Sequence, residues 1–151
     1  MDNPQKADCL SLRVRFTGGD GTISGYALGE GLGSFLSDIE PLEVYYYDSY
    51  DFIEALNLDD LQYQDMPGYD ARYVCEAAPG YSAKGLCTGK LTRVLGSDTM
   101  LASAVYYDCR GNVVQTHEQN ALGGYEHCYY RANYAKNCVL QVLKINCKFV
   151  S

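Results

Sequence analysis

Tryptophan is absent from this chain, and histidine nearly so: His117 and His127 are the only two in 151 residues. Any imidazole chemistry must pass through that pair. There is also no stripe of Lys and Arg. Twelve basic residues are scattered against nineteen acidic ones, for a net charge of −7 and a pI near 4.7. Contacts to a nucleic-acid backbone need clustered positive charge, which excludes nucleic acid as a partner and disfavours anionic membrane surfaces. No apolar run is long enough to cross a bilayer, so membrane insertion is not expected. Met1-Asp2-Asn3-Pro4 leads into polar residues rather than the apolar core of a signal peptide. As it stands, that start keeps the chain in the cytoplasm. As an excerpt of an exported protein, the chain would have its targeting signal elsewhere, and the repeats running to its end favour this second reading.

Cysteine is plentiful but unpatterned. Cys9, Cys75, Cys87, Cys109, Cys128, Cys138 and Cys147 contain no C-x-x-C pair, which argues against a zinc ribbon or a thioredoxin motif. An odd count leaves at least one free thiol in a monomer. The rest are either buried thiols acting as small hydrophobes or one or two disulfides of an oxidising compartment. The glycines from Gly25 to Gly33 do not form Gly-x-Gly-x-x-Gly between a strand and a helix, so no dinucleotide site is expected and no cofactor is assigned.

What the chain does have is tyrosine, fifteen of them, with fifteen glycines. Tyr buries its ring while keeping its hydroxyl near water, which suits half-exposed β-surface. The length implies one compact domain with roughly 70% of its unfolded surface buried. Leu10, Leu12, Val14 and Phe16 alternate with polar residues and predict a strand, closed by a turn at 17–21. Residues 22–41 commit to no period and read as a long packed loop. Leu42–Tyr47 is the next strand. Asp51-Phe52-Ile53-Glu54 has capping-box spacing and opens a short helix over 51–58. Residues 59–70 are a loop and Arg72–Glu76 a short strand. From residue 86 on, strands follow at 91–95 between Gly89 and Gly96, then 100–107, 112–118, 125–131 and 138–145.

The most specific signal is Tyr106-Tyr107-Asp108-Cys109-Arg110-Gly111-Asn112-Val113-Val114-Gln115-Thr116. It reads as strand, tight turn, strand. Asp108 opens the turn, capping it through a backbone N–H, and Gly111 closes it with φ > 0. The segment aligns with Asn133–Val142 at an offset of 26, with Asn137 in the place of Gly111. Tyr45-Tyr46-Tyr47-Asp48 echoes Val105–Asp108 at an offset of 60. Repeats of this size stack as one supersecondary unit per period.

These segments together resemble the Rhs/YD-repeat proteins of Bacteroidetes-type bacteria. The likeness rests on Val44–Phe52, Gly68–Tyr73, Ala83–Gly89, Arg93–Gly96 and the hairpin with its following Asn120–Tyr125, in that order and spacing. It runs from about 42 to 143, with residues 1–41 only loosely similar. The resemblance implies a mostly β fold of stacked antiparallel hairpins with long loops. It also implies a secreted or cell-surface parent whose larger members wind such strands into a shell around a variable toxin or effector. Asn112 stands where the repeat often has Arg, and two or three repeats are too few to close a shell. The motif linked to self-cleavage is missing, so no protease activity transfers.

No catalytic, cofactor or metal residue is assigned. Adjacent strand residues point to opposite faces, so His127 and Cys128 cannot form a nucleophile–base pair. Cys109 with His117 is conceivable, as is a zinc site from His117, His127, Cys128 and Cys138, but neither follows a spacing rule. Asp59-Asp60 and Glu40 with Glu43 read as solvated carboxylates. The two histidines are expected to lie apart, without a shared partner. The expected function is a structural or interaction segment. Its partners would be the rest of a parent protein, or another copy through the last strand, whose edge lacks a neighbour unless residues 1–41 cover it. The alternative is a small carbohydrate-binding module that stacks Tyr45–Tyr47, Tyr106-Tyr107 and Tyr129-Tyr130 on sugar rings.

Overall fold

A computed structural model describes residues 14–18, 24–28, 40–65, 83–108, 110–133 and 138–146, with Val14, Leu28, 131–133 and 138–146 as backbone. The expected strand at 72–76 and the turn at Asn137 fall outside these residues. The chain divides into two compact units, Met1–Pro41 and Leu42–Ser151.

In the first unit, β1 (Val14–Phe16) and β2 (Tyr26–Leu28) pair antiparallel, with Phe16 opposite Tyr26. Their rings meet edge to face at 5.5 Å. Thr17 N and Gly18 N both donate to Gly25 O, which closes the hairpin. Tyr26–Leu28 therefore corrects the reading of 22–41 as loop throughout. A three-residue strand is too short to show a period, and its partner across the turn is what forms it.

The second unit is built on a six-stranded antiparallel sheet in which every strand neighbours the next in sequence. The strands are β3 (Glu43–Asp48), β4 (Ala83–Arg93), β5 (Met100–Tyr107), β6 (Val113–Gln119), β7 (Tyr125–Asn133) and β8 (Cys138–Asn146). The fold is thus mostly β and antiparallel, as the alternation predicts. Among the described residues β3 and β8 are the edges.

Two of the turns share one design. Asp108 Oδ1 accepts Arg110 N and Asn112 N at 2.8 Å each, and Gly111, at φ 78°, donates to Asp108 O. Asn120 Oδ1 likewise accepts Leu122 N and Gly124 N, and Gly123, at φ 79°, donates to Asn120 O. The side chain of an Asx residue organises the turn, and glycine supplies the left-handed residue that ends it. Asp108 and Gly111 have the expected roles.

Helix α1 spans Asp51–Ala55. Its N-cap is Tyr50, which makes no side-chain cap, so the predicted capping box does not form. Asp51 lies one residue inside the helix and accepts the Ser49 hydroxyl instead. The helix stops short of Leu58 because Asn57 takes φ 54°. Leu58 N then donates to Ile53 O and Asn57 N to Glu54 O, the paired bonds of a Schellman end. A 3₁₀ turn follows at Asp59–Leu61 within the stretch read as loop.

α1 and the 3₁₀ turn cover one sheet face. Phe52, Ile53 and Leu61 are buried there with Tyr46, Leu91, Ala102, Ala104, Tyr106 and Tyr129. Gly89 lies inside β4, not at a strand boundary as expected. It works there as a missing side chain. The Phe52 ring sits where a Cβ would stand, and that ring stacks on Tyr46 at 4.3 Å.

Candidate functional site

The covered face carries polar groups as well as apolar ones. Gln115, His117 and His127 are all buried, and His117 has no exposed surface. The register puts His117 on β6 directly across from His127 on β7, flanked by the pairs Gln115–Tyr129 and Gln119–Tyr125. The His117 and His127 Nδ1 atoms meet in a hydrogen bond. This overturns the expectation that the histidines lie apart. Both residues stand five positions from Leu122, the centre of the Asn120–Gly124 turn, so any hairpin symmetric about that turn brings them together. Asn120-x-x-Gly123 repeats the spacing of Asp108-x-x-Gly111, and counting outward from a turn there would find the pair.

His117 Nε2 lies 2.9 Å from Gln115 Oε1. Gln115 in turn pairs with the backbone of Gln64 in both senses, its Nε2 donating to Gln64 O at 2.6 Å and its Oε1 accepting Gln64 N at 3.1 Å. The Tyr129 hydroxyl donates to Gln64 Oε1 at 2.6 Å. The segment after the 3₁₀ turn is therefore tied to β6 and β7 through side chains. Two further bonds tie the cover to β5. Tyr106 OH donates to Leu61 O and Tyr50 OH to Val105 O, both at 2.8 Å. Tyr106 also stacks on Tyr50 at 4.6 Å and meets His117 edge-on at 5.6 Å. Burial in this aromatic setting, with His127 beside it, lowers the His117 pKa to about 4. At neutral pH His117 is uncharged.

The alternatives weighed from sequence separate cleanly. Cys128 points away from the histidine face by strand alternation, as does its cross-strand neighbour Thr116. Cys87 is a free thiol. Among the described residues no three of His, Cys, Asp and Glu gather where they could hold a metal ion. Cys109 and the side chain of Cys138 fall outside those residues, so the Cys109–His117 pairing is not placed. Asp59, Asp60, Glu40 and Glu43 are exposed.

Each tyrosine doublet divides between the faces. Tyr46, Tyr106 and Tyr129 are buried under the cover. On the other face Tyr45 and Tyr47 are 44% and 54% exposed, while Tyr107 and Tyr130 are half-buried. Tyr45 donates to Glu43 Oε2 at 2.6 Å, and Lys90 Nζ reaches Glu43 Oε1 at 3.3 Å and lies 5.9 Å above the Tyr45 ring. The Tyr45 bond, seconded by Lys90, holds the Glu43 carboxyl below its usual range, and the same bond raises the Tyr45 phenol. Burial, with Cys87 nearby, also raises the Tyr107 phenol, whose hydroxyl donates to Cys87 O at 2.6 Å.

A half-open groove of about 440 Å³ lies at one end of the sheet, between the β4–β5 loop and the Asn120 turn. Val94, Met100, Leu101 and Tyr125 line it together with turn backbone, and among the described residues no His, Cys or carboxylate lines it. No protein-family model, curated protein or solved structure matches the chain.

Proposed function

We propose that this chain is a non-catalytic scaffold segment of the Rhs/YD-repeat kind, working within a larger exported protein as the resemblance implies. One observation carries the reading: the duplicated Asx-x-x-Gly turn, at Asp108–Gly111 and Asn120–Gly123, within a sheet whose strands each pair with the next in sequence. In such a sheet each strand is a platform for the next, and its last strand offers main-chain donors and acceptors to a neighbour. β8 reads Val139-Leu140-Gln141-Val142-Leu143-Lys144-Ile145, β-prone and with a single charge. Its partner is a strand of the parent protein or of a second copy. In sedimentation velocity the isolated chain should associate in a concentration-dependent way. Leu143→Lys, which puts a second charge on that edge, should leave it monomeric. A wild-type chain that stays monomeric at high concentration and captures no adjoining segment of its parent would remove this reading.

The exposed Tyr45 and Tyr47 support a second reading, a carbohydrate-binding face. Two residues apart on one strand, they stand roughly 7 Å apart on the same side. Titration calorimetry against a glycan panel, with Tyr47→Ala as control, separates the two readings.

A further inference from the structure

The two central hairpins part before the sheet ends. The β4–β5 ladder runs on to Arg93 opposite Met100, and the β6–β7 ladder to Gln119 opposite Tyr125. The ladder that joins them, β5–β6, stops at Ser103 opposite Glu118. Beyond that point a side chain takes over, and Ala102 N donates to Gln119 Oε1 at 2.9 Å. This bond fixes the amide, which leaves Gln119 Nε2 as a donor. Strand alternation directs the Met100 N–H and C=O to the same side as those of Ala102. Among the described residues neither group has a hydrogen-bond partner there. Main-chain groups left in this way are readily claimed by another chain.

The split is the groove at this end of the sheet. Its volume of about 440 Å³ is within the range of built binding sites. Val94, Leu101 and Tyr125 give it apolar walls. Leu95 and Leu122, 84% and 80% exposed, stand on the two turns that flank it.

We propose that the split is a docking slot for a short extended peptide, one that pairs its backbone with Met100 and sets an apolar side chain between the two turns, with Lys or Arg beside that side chain. Three features select this occupant. The unpaired groups are one N–H and one C=O on a strand, which a peptide backbone matches and a hydrocarbon chain does not. No charged side chain lines the groove among the described residues, so the anchor is uncharged. Asp98 is the one ionised residue of the two turns, and its carboxylate stays fully exposed while it pairs with Arg93 at 3.4 Å, so the flank is basic. A second copy fits less well. The end of a six-stranded sheet measures roughly 25 by 10 Å, about a third of the area that each partner of a stable dimer buries.

Titration of the ¹⁵N-labelled full chain with the blocked pentapeptide acetyl-Lys-Val-Leu-Val-Lys-amide tests the slot. Saturable amide shifts should gather at Met100–Ala102, Gln119 and Gly123–Tyr125. Two N-methylated forms, one at the central leucine and one at both valines, each block the donors of one edge of the peptide. One of the two should bind about tenfold more weakly than the parent peptide. Leu122→Ser, at an exposed turn position, should weaken binding about threefold without changing the melting temperature. Two methylated forms that bind as tightly as the parent would make the groove a merely apolar pocket and overturn the slot. So would an absence of saturable shifts. Shifts gathered on β8 would overturn it as well, while leaving the edge pairing proposed above in place.

Discussion

Two glycines show how differently one residue type can be required. Gly111 has open space where a Cβ would go, but its φ of 78° strains any β-branched residue. Gly89 has ordinary strand conformation but no space, because Phe52 occupies it. Gly111→Val should therefore cost more than about 1 kcal/mol, and Gly111→Asn much less. Gly89→Ala should cost about 1–3 kcal/mol as overpacking, and Phe52→Leu in the same chain should recover part of it. Urea denaturation of the four variants checks both statements. The difference also marks what sequence reading reaches. Gly111 is legible because its cause, Asp108, lies three residues away. Gly89 reads as a boundary because its cause lies thirty-seven residues upstream, in a helix whose packing no local pattern encodes. His117 adds a pH term. Its folded-state pKa of about 4 lies below the ordinary 6.5, so the unfolded chain binds the proton more readily. Stability is full above pH 6.5 and falls as pH drops toward 4, by roughly 3 kcal/mol at about 1.4 kcal/mol per pH unit. Urea melts from pH 7 to pH 4 should show that slope, reduced in His117→Gln.

At the level of elements, the sheet holds its cover by more than apolar contact. Phe52, Ile53 and Leu61 supply the buried area. Tyr50, Tyr106, Gln115 and Tyr129 set where the cover sits through hydrogen bonds to or from backbone and side chain. Tyr106→Phe keeps the ring and its stacking but leaves Leu61 O without that donor, a loss of about 1–2 kcal/mol. Its amide-exchange signature should be local, with faster exchange at Leu61 and Gln62 and little change in β4. Uniformly faster exchange would mean that the hydroxyl supports the whole sheet rather than the cover. The strands themselves were largely readable, because alternation of tyrosine, valine and polar residues is a direct imprint of a sheet with two unlike faces. The helix position was readable too, but not its start. Asp51 and Glu54 have the spacing of a capping box, yet the chain enters from β3 through a Ser49–Asp51 contact that places Asp51 inside the first turn.

At the level of the molecule, every buried core side chain among the described residues lies between Tyr46 and Tyr129, within the unit Leu42–Ser151. A fragment of residues 42–151 should therefore fold alone, with the far-UV dichroism of a β protein and a cooperative melt. A fragment that stays unfolded would show that the first forty-one residues complete the core. The order of β5 to β8 was foreseeable from turns placed one after another, whereas the histidine pair was missed because it emerges only when register is counted outward from the Asn120 turn.

That sheet order has a consequence under load. The first residue of β3 pairs with the end of β4, and the last of β8 with the start of β7, so both outer strands open from the same end of the sheet. Tension applied through the two ends would peel the edge strands inward like a zipper, one backbone bond at a time, and not shear a whole ladder at once. β5, β6 and β7, bound together through the cover, would be the last to part.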